Sequence, residues 1–397
     1  MRQTGNDGNR SGMGRPMKTL QLVGDSEYGG ATYLIIEWCK YLLGKNCEVD
    51  VLSTDSPTRR ALQDIARVKV IDDINIPREI DARADARAFA QLLRLFSRER
   101  YDVVHSYTAT PGVLGRITAR LARVPAIFHH QAAWTVGDSS SLRERLLFTP
   151  LEYIATIAST RGICVSNAVA RHAEAHRLAP RRKLTTIPNG IDPSRFPQAT
   201  DAGALRRELR VASDTVIIGT TGRLAPDKDL PTLLSAVDAL RTSFGRPFLF
   251  VVVGDGPDRS ALEGRVDELA ARDVVRFLGF RSDIPGLLGG MDVFVTASLR
   301  EGLSISVLEA MAASRPIVAT CIPPNAELIE HEMTGLLVDI RSPSQMAGAI
   351  TRFAREPELA IRCGAAARAV VLQKYTLSRM FAQTWDLYKE CSGGRNG

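Results

Sequence analysis

Long apolar runs, paired cysteines and the familiar short catalytic signatures are all missing from this 397-residue chain. No stretch approaches the roughly 18 apolar residues that a bilayer-crossing helix needs. The N-terminal segment Met1–Pro16 is polar, rich in Gly, Asn and Arg, and lacks the apolar core of a signal peptide. It reads as a disordered extension, with Met17 a second candidate start. The six cysteines, at positions 39, 47, 164, 321, 363 and 391, form no C-x-x-C pair. That argues against a zinc ribbon and, in a chain of this length, against a disulfide framework; a reduced, cytoplasmic setting is expected. There is no G-x-S-x-G, no H-E-x-x-H and no Walker A loop. Nor is there the aromatic–basic interleaving of a nucleic-acid binder, so no nucleic-acid partner is expected.

What is present is ordinary for a globular protein: 45% hydrophobic and 24% charged residues. Single hydrophobic cores stop growing at roughly 250–300 residues, so two domains are expected. The net charge of +7 favours an anionic partner without choosing one.

Short apolar runs alternate with helical stretches. Residues 19–23 read as a strand, 31–43 as a helix with Leu34, Ile35, Trp38, Leu42 and Leu43 on one face, and 49–53 as the next strand. A helix at 84–99, a strand at 103–105, a helix at 112–122 and a strand at 126–129 follow. The pattern restarts with strands at 216–220, 248–253, 275–278, 293–297 and 317–320, interleaved with helices at 230–242, 259–271 and 306–313. A helical segment at 376–390 ends it. Such alternation predicts two α/β halves with parallel sheets, divided where Pro188, Pro193 and Pro197 cluster. The expected divisions are an extension at 1–17, a first α/β domain at 18–195, a second at 196–375 and a C-terminal helix and tail at 376–397. In doubly wound sheets ligands bind beyond the carboxyl ends of strands, so two such domains facing each other would hold a ligand in their cleft.

Candidate residues fall just after strands. The turn Gly24-Asp-Ser-Glu-Tyr-Gly29-Gly30 leads into a helix, where paired glycines let backbone N–H groups approach a phosphate; an ordinary βα turn is the alternative. Gly222-Arg223-Leu224, with Lys228 five residues on, puts two cations after a strand. Arginine can grip two oxygens of a diphosphate, while lysine acts as a point charge. Asp227-Lys228-Asp229 has the letters of a D-x-D metal motif, but the intervening lysine opposes a divalent cation. The third segment is Ser298-Leu-Arg-Glu301-Gly302-Leu303-Ser304-Ile-Ser306-Val-Leu-Glu309-Ala-Met311. Here Gly302 permits close backbone approach, and the amides of Leu303 and Ser304 face outward at a helix start that favours anions. Glu301 and Glu309 can accept from hydroxyls, so a polyhydroxylated ligand suits them. Ser306-x-x-Glu309 is also a capping-box pattern, which divides Glu309 between helix cap and ligand contact. His129 and His130 end a strand, and one of them is a candidate site residue. Gly254-Asp-Gly-Pro257 reads as a structural tight turn.

In order, these segments resemble the retaining glycosyltransferases of family 4, which have the two-domain GT-B fold with a C-terminal helix crossing back to the N-terminal domain. The resemblance runs from Lys18 to Glu390. It is carried by Glu301-x7-Glu309, Arg315-Pro-Ile-Val-Ala-Thr, Glu327, Gly335-Leu-Leu-Val, Ile187-Pro-Asn-Gly-Ile-Asp192, Gly222-Arg223 with Lys228, and Gly254-Asp-Gly-Pro. It implies that Arg223 and Lys228 bind the donor diphosphate and stabilise it as it leaves. Gly302, Leu303 and Ser304 would add backbone N–H groups. Glu309 would hold the ribose, Glu301 would contact the transferred sugar, and Gly29 and Gly30 would approach the diphosphate. His130 matches the active-site histidine, with His129 the alternate. The implied reaction moves a hexose-type sugar from a nucleotide-diphosphate sugar, UDP favoured over GDP, with retention and no required metal or cofactor. One departure stands out: where the family has two glycines ahead of Glu327, this chain has Pro323-Pro324, which removes two N–H donors.

The acceptor implied is a glycan or lipid-linked sugar in cell-surface polysaccharide or glycolipid synthesis. Residues 141–157 mix Arg143 and Arg145 with Leu146, Leu147 and Phe148. They read either as a helix covering the sheet or as a basic amphipathic surface for an anionic membrane, which would place the protein on the inner face of the cell membrane. The competing functions are a nucleotide-sugar epimerase of the same fold and a non-catalytic sugar-nucleotide binder.

Overall fold

The computed structural model describes residues 15–24, 30–53, 56–76, 81–137, 140–197 and 202–393. Most of the N-terminal extension and Gly29 lie outside them. The chain forms two compact units. Unit 1 runs to His129 and includes Ala158–Thr160 and Cys391; unit 2 holds His130–Ile157 and Arg161–Glu390.

Unit 1 alternates β1 (Lys18–Val23), α1 (Gly30–Gly44), β2 (Glu48–Ser53), α2 (Ser56–Gln63), β3 (Val68–Ile71), α3 (Ala82–Glu99), β4 (Val103–Ser106), α4 (Ala109–Leu121) and β5 (Ala126–Gln131), whose last two residues belong to unit 2. The strands are parallel in the order β3-β2-β1-β4-β5. Leu20, Leu22, Leu52, Leu92, Phe96 and Val104 share one core. The face of α1 expected from its spacing is inside, with Leu42 fully buried and Ile35 2% exposed.

Unit 2 continues with α5 (Leu142–Ala158), β6 (Arg161–Cys164), α6 (Asn167–Ala175), β7 (Leu184–Thr186), α7 (Ala202–Leu209), β8 (Val216–Thr221), α8 (Leu230–Ser243), β9 (Phe248–Val253), α9 (Arg259–Glu268), β10 (Val275–Gly279), α10 (Ile284–Gly290) and β11 (Val293–Thr296). Then come α11 (Ile305–Ala312), β12 (Ile317–Thr320), α12 (Pro323–Leu328), β13 (Leu336–Val338), α13 (Pro343–Arg355), α14 (Pro357–Lys374) and α15 (Leu377–Ser392). Its main sheet orders the strands β10-β9-β8-β11-β12-β13, all parallel. Side chains alternate across a strand, and the sheet uses both faces. Phe248, Phe250 and Val252 of β9 join α8 and α13 in one core, while Leu249, Val251 and Val253 join α11 and α14 in another. That two-sided burial is why these strands read as unbroken apolar runs.

The strand order reverses between β8 and β11. At such a switch point the loops leaving the two strands diverge and open a crevice at their carboxyl ends. The segments 222–228 and 297–304 leave these two strands. No helix among the described residues is long and apolar enough to cross a membrane.

Candidate functional site

The site in unit 2 starts from the turn after β8. Gly222 has φ +145° and its N–H donates to Val253 O at 2.9 Å, while Leu224 N–H donates to Asp255 O at 2.9 Å. The turn after β9 is therefore clamped to the turn after β8. A Cβ on Gly254 would sit 1.9 Å from Gly222 O, and one on Gly256 2.3 Å from Leu224 O. The Gly254-Asp-Gly-Pro turn is thus structural in its glycines, and its role is to hold Arg223 in place.

The chain then makes a short 3₁₀ turn over Pro226–Lys228. The three residues of the D-x-D pattern part company there. Asp227 lies 3.4 Å from Arg223, Asp229 accepts from the Thr232 hydroxyl at 2.7 Å, and Lys228 Nζ reaches Glu301 Oε1 at 2.5 Å. The Lys228–Glu301 pair is well sheltered, with side chains 23% and 11% exposed, whereas Arg223 is 43% exposed. Ser298 Oγ donates to the same Glu301 oxygen at 2.8 Å, and the Thr320 hydroxyl donates to Ser298 O at 2.6 Å. Among the described residues Glu301 Oε2 has no hydrogen-bond partner. Lys228 keeps two of its three N–H donors beyond Glu301.

Arg223, Lys228, Thr221, Thr296 and Ser306 line one small pocket. The structure therefore brings the β8 turn and the start of α11 to one place, as the positions after strands suggested. Gly302 is a glycine because the backbone beside it is close: a Cβ would fall 1.7 Å from Ala132 O. Leu303 buries its side chain in the core of unit 2. Among the described residues the amides of Leu303 and Ser304 meet no protein acceptor. They stand beside a helix start, where the partial positive charge adds to theirs.

The capping reading of Glu309 does not hold. The cap of α11 is Ser304, whose hydroxyl accepts from Val307 N–H at 3.4 Å and lies 3.1 Å from Ser306 Oγ. The helix starts two residues earlier than a Ser306 cap requires, so Glu309 lies well past its first turn. Glu309 is half-buried, and burial pushes its carboxyl up to about 7, with Arg195 pulling it the other way.

The two histidines part because neighbours on a strand face opposite ways. His129, in unit 1, lies 2.8 Å from Ser106 Oγ, and its ring occupies the space where a Cβ on Gly112 would be. His130, in unit 2, is 8% exposed, and its Nε2 lies 3.1 Å from Asn189 Oδ1, within the Pro-Asn-Gly-Ile-Asp stretch. Burial pushes its pKa down to about 4, against the pull of Asn189, so the ring is neutral at physiological pH. Since an amide oxygen only accepts, Nε2 carries the proton. Gly30 opens α1 in unit 1.

Sequence reasoning gave no role to Ser166, Ser298, Thr296 or Asn189. Ser298 stood inside a quoted motif and follows a strand. Ser166 had only the weak signal of a serine ahead of a helix, and its partner is 136 residues away.

The chain matches two family models: Glycosyltransferase Family 4 over residues 28–195 and Glycosyl transferases group 1 over residues 201–370. It is 30% identical over 287 residues to the Escherichia coli UDP-Gal:alpha-D-GlcNAc-diphosphoundecaprenol alpha-1,3-galactosyltransferase, covering 72% of this chain and 74% of that one. It is 27% identical over 313 residues to a Mycobacterium tuberculosis GDP-mannose-dependent alpha-(1-6)-phosphatidylinositol monomannoside mannosyltransferase, covering 75% and 78%. Among solved structures, Anabaena Alr3699/HepE in complex with UDP and glucose superposes with a TM-score of 0.82 at 22% identity, over 94% of this chain and 100% of that one. With both of its halves matched and its two parallel sheets in place, this chain belongs to the family 4 glycosyltransferases of GT-B fold.

Proposed function

We propose that this chain transfers a hexose-type sugar from a nucleotide-diphosphate sugar to a glycan or lipid-linked acceptor, with retention of anomeric configuration. The observation that carries the donor half is the pocket shared by Arg223, Lys228 and the start of α11. A departing nucleoside diphosphate gathers negative charge. An exposed guanidinium, a sheltered ammonium and the amides of Leu303 and Ser304 supply preorganised positive charge and N–H donors where it gathers. These groups do the neutralising work without calling on a metal.

Glu301 divides its two oxygens between roles. Oε1 anchors Lys228 and Ser298, and Oε2 is available to accept from a hydroxyl of the transferred sugar. No dedicated nucleophile is assigned, and retention is then served by front-face attack through an oxocarbenium-like state. Glu309 accepts from the ribose hydroxyls. His130, neutral at physiological pH, acts as an uncharged hydrogen-bonding wall near the sugar rather than as an acid. UDP is the favoured nucleotide, in line with the UDP-Gal named for the Escherichia coli relative and the UDP bound in the Anabaena structure, although the Mycobacterium relative is named for GDP-mannose.

For the acceptor, α5 offers an uncovered apolar face. Leu142, Leu146, Leu147, Tyr153, Ile154 and Ile157 are 39–73% exposed, and Arg143 is exposed beside them. Such a helix suits the surface of an anionic membrane carrying a lipid-linked acceptor. Vesicles of phosphatidylglycerol at low salt should retain the protein, and an L146E/I154E double variant should release it; equal behaviour of the two proteins removes the membrane from this reading.

The donor reading is tested by a thermal-shift series with UDP, GDP, UMP, GMP and their sugar conjugates, since a ligand bound only by the folded state raises its stability with concentration. Incubation with the stabilising sugar nucleotide alone separates transfer from epimerisation. Release of nucleotide together with free sugar, water standing in for the acceptor, points to transfer, and an epimeric sugar nucleotide with no free sugar formed would overturn it.

A further inference from the structure

Ser166 is the N-cap of α6, 1% exposed, and its hydroxyl accepts from Val169 N–H at 3.1 Å. Its own proton goes elsewhere: Ser166 Oγ donates to Gly302 O at 2.7 Å. We propose that Ser166 is a positioning residue for the donor site, aiming the Leu303 amide at the diphosphate by fixing the peptide plane between Gly302 and Leu303. The inference rests on the diphosphate reading above.

A trans peptide is planar, and its C=O and N–H point in opposite directions. Holding the Gly302 carbonyl toward α6 therefore turns the Leu303 N–H away from α6. Two further constraints hold the residues on either side of this plane, leaving its own orientation to the hydrogen bond from Ser166. Ala132 O leaves no room at Gly302 for a Cβ, so the backbone there is hemmed in, and the Leu303 side chain is locked in the core. Without the hydroxyl, the half-buried Gly302 carbonyl would lack this partner, and rotation of the plane is its way to recover one. Rotation would carry the Leu303 N–H off the diphosphate. The same serine thus ends α6 and sets a backbone donor on a loop 136 positions later.

The test separates this from a helix-cap effect. Glycine is nearly as good as serine at an N-cap, so Ser166→Gly removes the hydroxyl while keeping α6. Binding is measured by calorimetry with UDP and UMP, and with GDP and GMP. Expected is a loss of about tenfold in affinity for the diphosphate that the unaltered protein binds, the size of a hydrogen bond to a charged group, with the matching monophosphate unchanged. In turnover, kcat should fall more than KM rises, because the leaving charge is greatest in the transition state. Equal losses for diphosphate and monophosphate, or no loss for either, would overturn the proposal. If the unaltered protein binds neither diphosphate, it is the donor reading itself that fails.

Discussion

Two loops leave neighbouring parallel strands of the same sheet and are put to opposite uses. The loop after β11 carries Glu301, Gly302, Leu303 and Ser304; the loop after β12 is only Cys321 and Ile322 and runs straight into Pro323 and Pro324, the first residues of α12. The first keeps two amides that meet no protein acceptor among the described residues and holds a carboxylate against Lys228. The second gives up two N–H groups to proline and starts α12. Its acidic residue, Glu327, turns to α6, accepting from Asn167 N–H at 2.9 Å and from Arg171 at 2.9 Å. Position beyond a parallel strand supplies the opportunity for a site, but proline or glycine at the turn decides whether the backbone can use it.

The sharpest way to break this comparison is at Lys228. Its loss removes a cation from the pocket and deprives Glu301, 11% exposed, of the ammonium it pairs with. Lys228→Ala is expected to lower kcat by roughly 100- to 1,000-fold, the scale seen when a preorganised transition-state stabiliser is removed. Steady-state release of nucleotide from the preferred donor checks it, and a loss under threefold would move the leaving-group work away from Lys228.

Gly302→Ala comes next. The added methyl would meet Ala132 O at 1.7 Å, and that atom belongs to backbone rather than to a flexible side chain. A cost of about 2–3 kcal/mol is expected, in the range of overpacked sites. Urea unfolding reads it as a lower midpoint at unchanged slope. An unchanged midpoint would mean that the loop yields readily and holds nothing in place.

Glu309 gives a pH signature. Its carboxyl, pushed up to about 7 by burial, must be charged to accept best from ribose hydroxyls. Bound nucleotide lowers that pKa, so binding releases protons. Affinity for the nucleoside diphosphate should therefore climb as pH rises toward about 7 and level off above it. Glu309→Gln should bind about tenfold more weakly at pH 8 and show no such climb; calorimetry across pH 5.5–8.5 measures both. A climb that survives in the variant would assign the titration to another group.

These contrasts also mark what the sequence could say. Strands β9 and β12 were legible to the residue, because burial on both faces writes an unbroken apolar run between turn residues. Strand β6, Arg-Gly-Ile-Cys, is too short and too polar at its start to show. Helix α14 is rich in alanine with little contrast between faces, so its period does not stand out. In the site, Arg223, Lys228 and Glu301 were visible from their places after strands. Lys228 pairing with Glu301 spans 73 positions, and His130 meeting Asn189 spans 59. No local pattern encodes such distances. Glu309 stayed divided until the cap of α11 fell on Ser304, a register that a one-dimensional S-x-x-E pattern cannot fix.

The smallest expected effect is at Pro323 and Pro324. If the β12 loop serves mainly to stiffen α12 and present Glu327 to α6, then restoring the N–H donors should change donor binding little. Pro323→Gly with Pro324→Gly offers two new amides but also frees the chain. Each glycine adds roughly 0.4–1 kcal/mol of unfolded-state entropy, so stability should fall while diphosphate affinity stays within about threefold, under 0.7 kcal/mol. Calorimetry with UDP and a urea midpoint measured on the same sample separate the two. A gain of tenfold or more in diphosphate affinity would show that the β12 loop reaches the phosphates after all. The prolines would then be a restraint on donor affinity, and the two loops would differ in strength rather than in kind.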